Sequence, residues 1–160
     1  MEDAAKLLLD TLKIRHLTLG SVESLTAGLF GATFCNVPGS SAVYRGGLIT
    51  YSPALKTSLA HVEEETIENN GVVSAPVAKQ MAIGGRDALG VDICVSCTGN
   101  AGPTAEKGSA PVGRVYLGLC YLNSVWTIPL DFTGDRNEIR KKTVASMISF
   151  VQSLFPNGGN

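Results

Sequence analysis

Hydrophobic positions recur along this chain at two different spacings, and the alternation between them predicts an α/β protein. Between residues 3 and 13, Ala5, Leu8, Leu9 and Leu12 share one helical face while Asp3, Lys6 and Asp10 fall elsewhere, the pattern of an amphipathic helix. The run IRHLTLGSVES then reads as a strand ending near Ser24. Thr26 to Phe34 reads as a short helix carrying Gly28 and Gly31, closed by the turn NVPGSS. Two glycines in so short a helix imply a close neighbour. VYRGGLITYS is strand-like, and Ser52 at an N-cap with Pro53 at the first helical position opens another helix.

Beyond the acidic segment HVEEETIENNG, Ser74 and Pro76 announce a helix running through Leu89 and stopped by Gly90. VDICVSC reads as a strand leading into the loop TGNAGPTAEKGSAPVG. RVYLGLCYL and VWTIPLDF are two further strands joined by the short turn NS. Asp135 followed by Glu138 has the spacing of a capping box, and Val144, Met147, Ile148, Val151 and Leu154 form one apolar stripe of a long final helix. Apolar strands alternating with helices, together with the hairpin-like pair near 115–132, predict a three-layer α/β/α sandwich with a mixed sheet. No repeat, low-complexity tract or linker interrupts it, so residues 1–160 are expected to form one domain.

Composition narrows the partners. The 160 residues suffice for one core, and 44% apolar content with a positive mean hydropathy suits a well-packed globule. Thirteen basic residues against 14 acidic ones leave a net charge of -1, and the longest basic run is RKK at 140–142, so neither nucleic acid nor a membrane surface is expected. The N-terminal segment is broken by charges every few residues, unlike a signal peptide or a membrane span, which points to the cytoplasm. Cys35, Cys94, Cys97 and Cys120 lie in apolar surroundings and read as reduced core thiols. The CxxC spacing of Cys94 and Cys97 has no second Cys/His pair, so no metal site is expected.

Three segments place small residues and hydroxyls where strands end: SVESLTAG, NVPGSS with TYSPALK, and CTGNAGP. Ligands of α/β folds gather at such ends, where loops and helix N-termini expose unpaired N–H groups. Lys56 lies about one turn into its helix, whose positive end disfavours the ammonium form and so makes a neutral base available. Tyr51 stands at the junction before it. Ser24 is either an N-cap or a nucleophile on a strand-to-helix turn. His16 and His61 have no identifiable acidic partner, and neither a GxGxxG nor a P-loop occurs, so no nucleotide cofactor is indicated. Arg136 and Arg140 fall in the first turns of the last helix, against its dipole. They suit either a phosphate or carboxylate ligand or salt bridges to Asp135 and Glu138.

Taken in order, ESLTAG, VPGSSAVYRGGLITYSPALK, GVVS, TGNAGP, PVGRVY and FTGDRNEIR resemble the CinA C-terminal domain family over nearly the whole chain. Familiar members are nicotinamide mononucleotide (NMN) deamidases, which hydrolyse the carboxamide to nicotinate mononucleotide and ammonia without a cofactor or metal. The resemblance implies that Ser24 attacks the carboxamide, that Lys56 takes its proton, and that Tyr51 tunes or relays between them. It also implies a homodimer, and a mononucleotide site lined by Gly39, Ser41, Thr98, Gly99, Asn100, Ala101 and Gly102, with Arg136 or Arg140 on the phosphate. Backbone amides around Thr26, Ala27 and Gly28 are candidate oxyanion donors, worth on the order of 3 kcal/mol each. Many members have Cys-Thr-Gly-Gly where this chain has Leu25, Thr26, Ala27 and Gly28, which sets a methyl in a tight position. Many also carry extra glycines where it has Thr104, Ala105 and Glu106, and a lysine near Ala110. These departures leave two alternatives beside NMN deamidation: a nucleotide-binding homologue without turnover, and a hydrolase of another small amide. Larger members bear a further N-terminal pyrophosphatase-type domain, whose activity does not carry over to this chain.

Overall fold

The computed structural model describes residues 1–157. Five strands, β1 (Leu19–Glu23), β2 (Tyr44–Ile49), β3 (Ile93–Gly99), β4 (Arg114–Tyr121) and β5 (Ser124–Asp131), form one sheet in the order β2-β1-β3-β4-β5. β1 runs parallel to both β2 and β3, whereas β4 and β5 add antiparallel. The sheet is mixed because a two-residue turn at Leu122 and Asn123 returns the chain directly, while the parallel strands need helical crossovers.

On one face lie α1 (Glu2–Ile14), α2 (Leu29–Cys35) and α6 (Arg136–Gln152). Leu8, Leu12, Phe30, Phe34, Met147 and Val151 from these helices close over Val95, Leu117 and Leu119 of the sheet. On the other face α5 (Ala75–Leu89) covers β3 and β4, flanked by α3 (Pro53–Ala60) and α4 (Glu64–Asn70). The fold is therefore the three-layer sandwich that the alternating periods predict. α5 approaches its neighbours closely: a Cβ on Gly84 would stand 1.7 Å from the Ala60 carbonyl oxygen, and one on Gly85 would stand 2.1 Å from Val22 Cγ2. Glycine costs a helix interior about 1 kcal/mol relative to alanine, and here that cost permits the contact.

Local signals explain most boundaries. Ser52 and Ser74 accept hydrogen bonds from Leu55 N–H and Val77 N–H as N-caps, each followed by proline in the first turn, and Gly90 ends α5 in the left-handed conformation. Asp135 and Glu138 form a complete capping box on α6. The sequence expectation errs at α2, which begins at Leu29 rather than Thr26. Ala27 has φ 46° and Gly28 φ 94°, and left-handed residues do not propagate a right-handed helix. The acidic segment given no element holds α4, whose first-turn Glu64 and Glu65 suit the positive helix end.

The thiols divide. Cys94 and Cys97 are buried on opposite faces of the sheet, as a spacing of three along a strand requires, and Cys120 is also buried. Cys35 is exposed at the last turn of α2 rather than in the core. Among the described residues no helix is long and apolar enough to cross a membrane, and no group of three His, Cys, Asp or Glu residues is placed to hold a metal ion.

Candidate active site

β1, β2 and β3 are parallel, with one register shift between β1 and β2 at Leu19/Gly20, so their C-terminal ends open at one edge of the sheet, and the chain leaves each of them into the same space. β1 delivers Ser24, the segment after β2 delivers Tyr51, Pro53 and Lys56, and the end of β3 delivers Thr98 to Ala101. These residues line a cavity of about 420 Å³, within the usual range for small-molecule sites. The loop after β3 roofs it with Thr104, Glu106, Ser109 and Ala110, and Val72, Val73, Leu25 and Arg136 complete the wall.

At its floor, Lys56 Nζ lies 2.9 Å from Ser24 Oγ. The amine also donates to the Thr50 carbonyl at 2.6 Å and to the Tyr51 carbonyl at 3.4 Å. Lys56 is 1% and Ser24 7% exposed. Loss of hydration on burial lowers the lysine pKa from 10.5 to about 8, so burial is its leading cause, where the sequence suggests the helix end. An amine so poised exchanges its proton near neutral pH. Protonated it donates to Ser24; neutral, its lone pair accepts the serine proton.

Ser24 sits on a turn held from several directions. Its N–H donates to the Cys97 carbonyl at 3.2 Å, and its carbonyl accepts from Ala27 N–H at 3.1 Å. Glu23 immediately before it is buried, and its carboxyl oxygens accept from Thr26 Oγ1 at 2.7 Å, Phe30 N–H at 2.9 Å and Gly31 N–H at 3.3 Å. No sequence motif singles out Glu23. The available signal is an acidic residue at the end of an apolar strand, which demands donors once buried.

The other sequence candidates separate into two groups. Thr98, Gly99, Asn100 and Ala101 line the cavity with Ser24 and Lys56, and Arg136 stands exposed at its rim. Thr98 Oγ1 donates to the Val72 carbonyl, and the Asn100 amide pins its own loop by donating to the Ala110 carbonyl and accepting from Gly102 N–H. Gly102 contributes through its carbonyl, which accepts from Arg136 Nη1 at 2.6 Å. Tyr51 is at the site but 58% exposed, and its hydroxyl accepts from Arg136 Nη2 at 3.0 Å rather than bridging Ser24 and Lys56.

Gly39 and Ser41 lie away from the cavity. They belong to the 3₁₀ turn just before β2, hence at the opposite end of the parallel strands. Thr26, Ala27 and Gly28 do not line the cavity either. Thr26 is buried, and the Ala27 N–H is spent on Ser24, so neither suits the oxyanion role. The Ala27 methyl is exposed, and what its position exacts is the left-handed backbone rather than crowding. Arg140 does not reach the cavity: its guanidinium donates to the Leu25 and Thr26 carbonyls at 2.9 and 3.1 Å. Neither histidine lines the cavity.

The family model described as CinA C-terminal domain matches residues 1–155. The chain belongs to this family. A CinA-like protein of Petrotoga mobilis is 42% identical over 135 residues, covering 84% of this chain and 34% of that protein. This CinA-family chain thus spans about a third of the length of the curated relatives it matches. Its fold is shared with the competence/damage inducible protein CihA from Agrobacterium tumefaciens, at TM-score 0.92 and 31% identity over 96% of this chain and 94% of that one. The competence damage-inducible protein A of Klebsiella pneumoniae superposes at TM-score 0.93 with 25% identity, over 98% of this chain and 97% of that one.

Proposed function

We propose that this CinA-family chain is an amidohydrolase that deamidates NMN by a Ser24–Lys56 mechanism. The observation that carries the reading is the 2.9 Å approach of Lys56 Nζ to Ser24 Oγ at the floor of a ligand-sized cavity. Neutral Lys56 takes the Ser24 proton as Oγ bonds to the carboxamide carbon. The resulting ammonium then gives that proton to the departing nitrogen as the C–N bond breaks, releasing ammonia and leaving an acyl-serine. Water, deprotonated by Lys56, adds to the ester, and collapse restores Ser24 and frees the carboxylate product. Leu25 is the residue of the nucleophile's turn on the cavity wall, and its backbone N–H is the oxyanion donor in this scheme.

Arg136, at the rim with two N–H groups already orienting it toward Gly102 and Tyr51, is the partner for the phosphate. Tyr51 accordingly acts by holding that arginine. Reduced thiols buried in the core support a cytoplasmic setting, and assembly as a homodimer belongs to the same reading through the family resemblance. Ammonia release from NMN tests it: wild type turns over, and Ser24→Ala and Lys56→Ala each lose at least about two orders of magnitude in kcat. Unchanged rates in either variant remove that residue from the mechanism.

A second reading is favoured by Glu106 on the cavity wall, a carboxyl group facing space meant for a phosphorylated ligand. It is hydrolysis of a different, less anionic small amide by the same dyad. A panel of amides with and without phosphate separates the two, and tight NMN binding with no turnover of any amide would leave only a binding role.

A further inference from the structure

The two arginines near the start of α6 are four residues apart, yet the structure gives them different tasks. Arg136 is exposed at the cavity rim. Arg140 is half-buried, and its fork is committed to two successive main-chain carbonyls, those of Leu25 and Thr26, immediately after the nucleophile. Beneath the same turn, the buried Glu23 takes the Thr26 hydroxyl at 2.7 Å and the first amides of α2. Thr26 is therefore gripped twice, through its carbonyl from α6 and through its side chain from the end of β1. The turn needs such a grip because Ala27 holds a positive φ of 46° without being glycine, a conformation that persists only where its surroundings impose it. Two carbonyls pointing at one guanidinium also fix the plane of the Leu25–Thr26 peptide, and with it the direction in which Ser24 presents Oγ.

We propose that Arg140 and Glu23 are positioning residues that brace the Ser24 turn through two different groups of Thr26, its carbonyl and its hydroxyl, and that Arg140 is not a ligand of the substrate phosphate. This rests on the amidase reading for its kinetic arm only. Displacement of a reacting atom by about 1 Å costs roughly a hundredfold in rate, which sets the scale of the effect.

The experiment compares wild type, Arg140→Met, Arg140→Lys, Arg136→Gln and Thr26→Val on NMN and on nicotinamide riboside, the same carboxamide without the phosphate. In parallel, the rate of covalent Ser24 modification by a fluorophosphonate is followed by intact mass. Arg140→Met is expected to lower kcat on both substrates by the same factor, between about tenfold and a hundredfold, with KM unchanged within about twofold. Fluorophosphonate labelling is expected to slow by a similar factor, with partial recovery in Arg140→Lys, which keeps the charge but not the fork. Arg136→Gln is expected to raise KM for NMN alone. Thr26→Val, which removes the hydroxyl that Glu23 accepts from and that also lies 3.2 Å from Cys97 Sγ, is expected to slow labelling severalfold, and an unchanged rate removes Glu23 from the brace. A loss in Arg140→Met confined to NMN and expressed in KM would make Arg140 a phosphate ligand and overturn the proposal, as would wild-type labelling rates. If Arg140→Met does not fold, Arg140→Lys decides: labelling at least about threefold slower supports the brace, and a wild-type rate overturns it. If wild type releases no ammonia from either substrate, the amidase reading fails while the labelling arm still judges the brace.

Discussion

Burying an amine that must remain titratable has a thermodynamic signature, and replacing Lys56 with methionine exposes it. The unfolded chain holds this lysine at its ordinary pKa of 10.5, whereas the folded chain lowers it to about 8. At about 1.4 kcal/mol per pH unit, keeping the ammonium inside costs the folded state roughly 3 kcal/mol. Below about pH 8 both states are protonated and the full cost applies. Between 8 and 10.5 the unfolded chain binds a proton that the folded chain has released, so stability rises with pH. Above that window both amines are neutral and the cost is gone. Lys56→Met removes the titration and adds only a pH-independent offset, the lost hydrogen bonds to Thr50 and Ser24, of about 1–3 kcal/mol. Tyr44, pushed up to about 12 by burial, titrates in both proteins and largely cancels in the difference, and Cys97, whose charge acts on Lys56, is pushed up by burial to about 11, above the range measured. Urea denaturation of both proteins from about pH 7 to about pH 10.5 measures that difference. Wild type is expected to gain roughly 3 kcal/mol relative to the variant across the range, most steeply above pH 8. A difference that stays flat refutes the burial account of Lys56 and with it the supply of neutral amine near neutral pH.

The same proton governs rate: kcat/KM for NMN is expected to climb with pH as one proton leaves Lys56 and to level off above about 8, and a profile that falls over this range excludes a neutral-amine base. Gly84→Ala would drive a Cβ to 1.7 Å from the Ala60 carbonyl oxygen at the end of α3. Calorimetry is expected to show a loss of at least about 2 kcal/mol, and ammonia release should fall because α3 carries Lys56; a wild-type melting point would show that α3 and α5 do not pack so closely. Ala27→Gly relieves a left-handed alanine worth about 1 kcal/mol while adding a similar unfolded-state entropy, so its urea midpoint is expected to stay within about 0.5 kcal/mol of wild type; a loss beyond about 1 kcal/mol contradicts the φ of 46°.

What the sequence made legible follows from how local each signal is. The caps at Ser52, Ser74 and Asp135 are short-range hydrogen bonds between residues three apart, so spacing alone reveals them. Ser24 and Lys56 are legible as a pair only through the family resemblance; the reason they meet, that both follow parallel strands which pair with each other, lies in the topology. Gly39 and Ser41 misled because a turn reads the same at either end of a strand, and only the strand's direction says which end faces the ligand. Arg136 and Arg140 were indistinguishable for a related reason. Four residues make just over one helical turn, so both leave α6 on one side, and the acceptors each meets come from segments more than thirty residues away, Gly102 for one and Leu25 for the other. Glu23 is not legible because it is held in part by the backbone amides of Phe30 and Gly31, which no residue type advertises.

The mixed sheet divides the labour of this site. Its parallel half supplies the proposed reacting groups and the wall beside them: Ser24 after β1, Lys56 after β2 and Thr98–Ala101 after β3, all placed by the parallel pairing. Its antiparallel half supplies the roof, because the connection from β3 to β4 is a loop spanning 100–113 that must return the chain across the cavity mouth. Asn100 and the Gly113 N–H tie the two ends of that loop together, leaving Thr104, Glu106 and Ser109 between them free to vary without disturbing the strands. On the proposed amidase reading, substitutions in the roof act on which amide enters, while substitutions beneath it act on whether Oγ and Nζ still meet. Exchanging Thr104, Ala105 and Glu106 for glycines should alter the ratio of kcat/KM between phosphorylated and unphosphorylated amides and leave the fluorophosphonate reactivity of Ser24 where it was. A change in that reactivity would mean that roof and dyad are one mechanical unit and that the division does not hold.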